Sequence, residues 1–402
     1  MPLDTGDTSF MLVATALVMI MTPGLAFFYG GLVSRKNVLA IMMQSYVSMG
    51  VSTILWVAVG YSLCFSGDVG GIIGNLDMAF LRGIEPTDLF GGAEGTIPLL
   101  LFVAYQMMFA IITPALITGA FANRITFKAY LIFLVAWQIL VYYPFVHMIW
   151  GGGMLAEWGV LDFAGGIVVH ALAGMAALAS VIYVGKRRVE DTGAHNVPFV
   201  AIGAALLWFG WFGFNAGSEL AVDEVTAVAF INTQIAAAFA AITWLLLAWL
   251  YDGKPSFVEM LIGMIAGLAT ITPAAGFVSP QSAMLIGVAA GAVCYFAVVF
   301  RKKKGLDDAL DVWGVHGVGG ALGIVMLGVL ASESIGGQNG LYHGNQDFFM
   351  VQLAGLALAC VWAFAFTYGM LMMIDMITPV RVTDEAEAAL DVTLHGESAY
   401  TD

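Results

Sequence analysis

Two histidines stand inside otherwise apolar stretches of this sequence: His170 in DFAGGIVVHALAG and His316 in DVWGVHG. An imidazole titrates near ~6.5 in water, so it can hold or relay a proton around neutrality. Its two nitrogens can also donate and accept at once. Ionisable groups are costly in hydrocarbon, and where they occur they face a cavity or another polar group. A carboxylate precedes each ring, Asp162 in the pattern D-x7-H and Asp311 in the pattern D-x4-H. At the first turn of a helix such a group accepts from free N–H donors and complements the dipole. Capping is therefore the main role expected of Asp162 and Asp311, with electrostatic help to a cation secondary. A single buried histidine would be read as a packing residue; two in related positions point to a pore or site.

The elements that must position these rings are membrane helices. The chain has 402 residues, of which 60% are hydrophobic and only 10% charged, with mean hydropathy +0.91. A soluble chain carries about 25% charged residues. The apolar runs reach ~20 residues or more, enough to span a bilayer. The pattern predicts an all-α integral membrane protein with eleven spans, at 8–33, 37–65, 98–122, 126–147, 162–185, 197–218, 224–250, 257–275, 280–300, 309–331 and 347–376. The 48 glycines suit close helix packing. Cys64, Cys294 and Cys360 lie in apolar runs without the spacing of a metal or redox site, and read as packing residues. No signal peptide is evident, since MPLDTGD is acidic where an n-region would be basic. No enzyme, cofactor or metal site is expected, because the histidines lack HxxxH or Cys pairing and no nucleophile–base set is visible.

Basic residues set the orientation. Arg35 and Lys36, Arg124 and Lys128, Lys186 to Arg188, Lys254, Arg301 to Lys304 and Arg381 all follow odd-numbered spans; only Arg82 follows an even one. The positive-inside rule then places the N-terminus outside and the C-terminal tail in the cytoplasm of a multi-pass plasma (cell inner) membrane protein. Asp4, Asp7, Asp68, Asp77, Glu85, Asp88, Glu94, Glu157, Glu219, Asp223 and Glu224 give the outer loops an acidic field. Such a field concentrates cations at a mouth; acidic loops that do no steering are the plainer alternative.

The chain also repeats itself. I-T-P-A occurs at Ile112–Ala115 in span three and at Ile271–Ala274 in span eight, and the Asp/His patterns occur in spans five and ten. Each offset is five spans, an odd number, so matched helices cross in opposite directions, as in inverted-repeat transporters with midplane sites. Repeat one covers about 8–185 and repeat two about 197–331; span eleven, 347–376, lies outside, and 377–402 forms a cytoplasmic tail beyond the 1–376 transmembrane domain. At a helical rise of 1.5 Å, His170 lies ~12 Å below Asp162 and His316 ~7–8 Å beyond Asp311. The two rings thus approach the middle of the membrane from opposite faces.

The motifs DFAGGIVVH (162–170), HMIWGGG (147–153), WFGFNAGS (211–218), ITPAAGFVSP (271–280), DVWGVHG (311–317) and HGESAY (395–400), with FFYGGLVSRKN (27–37), are similar to those of the Amt/Mep/Rh ammonium transporter family, nearest its bacterial and archaeal Amt branch. The resemblance runs from the first span to the tail. It implies a homotrimer of eleven-helix protomers, each with its own path for ammonium or ammonia, with methylammonium as an analogue. It implies that Trp150, Phe109 and Ser218 form an outer recruitment site supported by Asp162, that Phe109 and Phe214 stack as a gate, and that His170 and His316 line the dry path. Tyr105 and Trp211 fall close to these positions.

The chemistry fits ammonium independently. Trp is the best aromatic for a cation, at ~0.5–2 kcal/mol. A hydroxyl such as Ser218 accepts an N–H, which K+ cannot offer. Carrying an intact ion through an apolar path is costly. Deprotonation near the outer site, passage of NH3 and a separate proton route follow. The principal alternative is an ammonium sensor of the same fold, fused through its tail to a signalling module. The tail, RVTDEAEAALDVTLHGESAY, resembles the family's regulatory tail, whose face can bind PII-type signalling trimers. Ala389 stands where Gly is usual before the Leu-Asp pair, which puts the tail's coupling in question.

Overall fold

Apolar runs fold as helices in a membrane because each backbone N–H must find its carbonyl within the segment. The computed structural model describes residues 3–189 and 193–400. Ten of its helices are long and apolar enough to cross a membrane, and a shorter apolar helix, Phe257–Ile271, brings the spans to eleven. In chain order these are α1 (Thr5–Leu32), α2 (Val38–Phe65), α3 (Leu99–Ile117), α4 (Phe127–Glu157), α5 (Gly166–Val184), α6 (Val197–Glu219), α7 (Glu224–Asp252), α8 (Phe257–Ile271), α9 (Pro280–Lys303), α10 (Trp313–Leu330) and α11 (Gln346–Asp375). The α8 helix is short because Pro273, two residues past its end, has no N–H with which to continue the ladder. Since the count is odd, the face bearing Asp4 (the N face) lies opposite the face bearing the C-terminal tail (the C face).

The middle of the bundle is built on α5 and α10. Both begin with a wide, i→i+5 turn, at Gly166–Ala171 and at Trp313–Gly317. Such turns are frequent at functional sites, and α2 and α4 carry them too, at Trp56–Gly60 and Gln138–Tyr142; those in α5 and α10 each contain a histidine. The two helices touch backbone to backbone. A Cβ built on Gly174 would lie 2.0 Å from the Gly317 Cα, and one on Gly320 would lie 2.7 Å from the Gly166 carbonyl oxygen. Only glycine fits at such a crossing.

The tail folds onto the C face. Two short helices, α12 (Asp384–Glu387) and α13 (Leu390–His395), are tied to loops between membrane helices. Glu387, 2% exposed, accepts from the backbone N–H of Arg188 (2.6 Å) and Val189 (3.1 Å) and from Arg381 Nη2 (2.9 Å). Asn37 accepts from Leu390 N–H at 2.8 Å, and Asp391 accepts from Ala40 N–H at 2.8 Å. Ala389 has φ −159° and ψ 65°, outside the left-handed region that favours glycine. His195 bridges the Val33 carbonyl (2.9 Å) and the Tyr400 hydroxyl (2.8 Å), over which the Arg35 guanidinium lies.

Candidate functional site

The N-face mouth is shaped by a carboxylate that spends its charge on the backbone. Asp162 is buried; its Oδ1 accepts from Gly165 and Gly166 N–H (2.9 and 2.6 Å) and its Oδ2 from Ile167 and Val168 N–H (2.8 and 3.1 Å). These are the orphan donors of the first turn of α5. Gly165, at φ +117°, provides the left-handed step that folds the chain back over this carboxylate. The Trp150 indole donates to the Asp162 carbonyl at 2.8 Å, which fixes the ring at the wall of a chamber of about 350 Å³. That chamber is lined by Trp150, Asp162, Phe163, Ser218 and Glu219 among others, and a contiguous lobe of about 270 Å³ adds Phe65, Phe90, Phe102, Gln106 and Phe109. Ser218 Oγ lies 2.8 Å from the Phe214 carbonyl and 3.2 Å from the Tyr105 hydroxyl. Tyr105, buried against α6, also donates toward the Gly213 and Phe214 carbonyls at 2.8 and 3.0 Å.

Below the chamber the rings form a continuous ladder. Phe109 meets Trp150 edge-on at 6.0 Å and lies over Phe214 at 4.3 Å between centroids. Phe214 in turn lies 6.0 Å from His170, and Trp211, held by an indole hydrogen bond to Thr272 Oγ1 at 2.9 Å, stacks on His170 at 5.5 Å. His170 and His316 are nearly parallel, 18° apart, with their Nδ1 atoms 3.2 Å from each other. One Nδ1 must donate and the other accept, so the two neutral rings adopt opposite tautomers and their Nε2 atoms offer one donor and one acceptor. They line a narrow cavity of about 20 Å³ with Met21, Leu25, Phe28, Ile112 and Leu207. That is room for about one water-sized molecule. The His170 Nε2 is buried without a partner.

On the C face the structure corrects the role expected of Asp311. Its backbone is left-handed (φ +58°) and its carboxylate pairs with Arg301; it caps no helix. The cap of α10 is Asp308, whose Oδ2 accepts from Trp313 N–H at 2.7 Å while its Oδ1 is buried without a partner. Asp308 stands eight residues before His316, the same spacing as Asp162 before His170. The D-x7-H signal was therefore present twice in the sequence, and the nearer aspartate obscured it. Burial and the adjacent Asp311 push the Asp308 carboxyl up to about 6. Burial also raises Asp307, but the Arg187 guanidinium and backbone N–H outweigh it and hold that carboxyl at about 2. A further pair that the sequence did not announce is His147 with Asp68, 2.9 Å apart under the N face, with the other imidazole nitrogen on the Cys64 carbonyl. Among the described residues no group of His, Cys, Asp and Glu is arranged to hold a metal ion.

An eleven-helix membrane bundle with an aromatic chamber on one face and two imidazoles lining a small central cavity has the architecture of membrane transport proteins rather than enzymes. The chain is a member of the ammonium transporter family, whose model matches residues 9–400. It is 45% identical to the ammonium transporter of Bacillus subtilis, over 100% of both chains, and 43% identical to the ammonium transporter Amt1 of Archaeoglobus fulgidus, over 99% of this chain and 100% of that one. The crystal structure of Saccharomyces cerevisiae Mep2 superposes with a TM-score of 0.89 at 32% identity, covering 96% of this chain and 89% of that one. A structure described as a sensor Amt protein superposes equally well (TM-score 0.89) at 28% identity, over 97% of this chain and 98% of that one.

Proposed function

We propose that this protein conducts ammonium by recruiting NH4+ in the N-face chamber, removing a proton there, and passing NH3 between His170 and His316. The observation that carries this reading is the unbroken ladder Trp150–Phe109–Phe214–His170–His316, ending in a cavity of about one small molecule. Trp150 and Phe109 offer ring faces to a cation, and Ser218 offers a hydroxyl oxygen that accepts one N–H. The Phe109–Phe214 stack closes the way to an ion that keeps its hydration shell. Past it there are too few polar groups to hold a charge, and an unpaired ion there is strongly disfavoured. Ammonia needs only one or two partners, which the opposed Nε2 donor and acceptor supply. The proton travels separately, along the imidazole pair. Asp162 acts as brace rather than ligand, since its oxygens are taken by four N–H groups.

The basic loops put the N face outside and the tail in the cytoplasm of the plasma membrane. The protomer assembles as a homotrimer, with about 8–185 and 197–331 as inverted repeats and α11 as an additional helix. The tail (377–402) regulates the path, and its docked surface is where a PII-type protein or a fused signalling module would act. The likeness to a sensor Amt structure supports sensing as a second reading. Ammonium-jump currents from the purified protein in liposomes, beside equilibrium methylammonium binding, separate the two. Saturating current supports transport; binding without current supports sensing.

A further inference from the structure

We infer that Glu219 is the cation-collecting carboxylate of the recruitment chamber, setting apparent affinity for ammonium and favouring the ion over neutral amine. The inference rests on the transport reading above and adds a residue to it.

Three carboxylates stand near the chamber, and two are already occupied. Asp162 is saturated by four backbone N–H groups. Asp223 caps α7, its Oδ1 accepting from Thr226 N–H at 3.0 Å and lying 3.2 Å from the Thr226 hydroxyl. Glu219 lines the chamber beside Ser218 and Trp150, and its polar partner among the described residues is the Asp223 carboxyl. That hydrogen bond needs a proton on one of the two acids and is lost when both ionise, leaving no N–H donor or cation to neutralise Glu219. No Lys or Arg lines either lobe of the chamber.

Its place is fixed by the backbone. Gly217 is wedged where a Cβ would come within 2.8 Å of Ala14 and the Tyr105 hydroxyl, and Leu220 takes a left-handed conformation (φ +61°). This turn ends α6 and sets residue 219 at the rim, half-buried, one position past the serine whose hydroxyl meets the ion. A carboxylate between protein and water attracts a monovalent cation over several ångströms, raising its local concentration without gripping it. It gives no such help to a neutral amine.

The test is Glu219→Gln in the full-length protein reconstituted in liposomes at pH 8. The apparent Michaelis constant for ammonium rises about five- to tenfold while maximal current holds within about twofold, since only long-range attraction is lost. Raising ionic strength from ~10 to ~200 mM weakens apparent affinity in the parent protein and has little effect in the variant. Glu219→Asp restores most of the affinity, which a merely structural role would not predict. Unchanged affinity and unchanged salt dependence in Glu219→Gln overturn the assignment. If the parent protein carries no ammonium current, the transport reading fails separately. Methylammonium binding to the solubilised protein then decides Glu219: a matching loss of affinity in the variant supports it, and equal affinity overturns it.

Discussion

The Nδ1 atoms of His170 and His316 lie 3.2 Å apart, one on each of two helices that run in opposite directions through the membrane. That distance is a shared hydrogen bond, so neither ring can choose its tautomer alone. The pair also explains how two imidazoles are tolerated in an apolar interior: each satisfies the other's inner nitrogen and leaves only its outer nitrogen unshared.

Replacing either ring by a carboxyl group, His170→Asp or His316→Asp, breaks this coupling and puts a charge-bearing group into the cavity. Such variants are expected to admit cations, with potassium-jump currents rising at least about tenfold relative to ammonium as the desolvation barrier falls. Currents from both ions, recorded in liposomes, check this. Unaltered selectivity and ammonium current in both variants would exclude the proposed role.

Phe214 and Phe109 are not equivalent. Phe214 touches Phe109, Trp211 and His170, whereas Phe109 lies only on the chamber side of the stack. Phe214→Ala is expected to cost about 3–5 kcal/mol of stability as a buried aromatic truncation and to abolish current. Phe109→Ala should keep measurable current with weaker ammonium affinity. Both rings are about equally buried, so melting curves in detergent should show similar losses of stability, and current titrations distinguish the two.

The α5–α10 crossing leaves no room for a methyl group. Gly174→Ala would place a Cβ 2.0 Å from the Gly317 Cα, against backbone that has nowhere to move. Overpacking of this kind costs ~1–3 kcal/mol or more. A lower melting temperature together with lost transport is expected; a variant of unchanged stability would show that the crossing is looser than described.

Glu387 holds the tail by accepting three hydrogen bonds while nearly fully buried. Removing one partner of a buried ion pair costs about 3–5 kcal/mol. Glu387→Ala is therefore expected to free the tail, seen as rapid proteolytic cleavage after residue 376 with the membrane domain intact. Cleavage at the parental rate would count against the docking described.

The C-face aspartates predict opposite responses to pH. The Asp308 carboxyl is raised to about 6, so its charge opposes folding: the penalty is absent below pH ~4, grows between ~4 and ~6, and is full above that. Asp308→Asn, which keeps an oxygen for Trp313 N–H, should raise the melting temperature at pH 7.5 and leave it unchanged at pH 4. Asp307 is held at about 2, so its stabilisation is present above pH ~4 and fades as the pH falls toward 2. Asp307→Asn should accordingly lower the melting temperature at neutral pH.

Residue types and spacing by themselves determined much of this protein. The span count follows from the length of the apolar runs, because hydrocarbon forces each run to satisfy its own backbone. The histidine pair was legible from two patterned helices at an odd span offset, and several residues that line the N-face chamber stood in motifs that resemble a known family. Tertiary structure decided what pattern does not encode. It showed that Asp308, not Asp311, caps α10, because Arg301 on α9 claims Asp311 across ten residues of sequence. It showed how fully the Asp162 carboxylate is taken up by its own helix, and that Glu219, which read in the sequence only as one of the acidic groups of the outer loops, faces the chamber. The reason is physical: helix periodicity fixes which residues share a segment. Only the packing of one helix on another, at contacts such as Gly174 on Gly317, fixes which charges meet and which are left for a ligand.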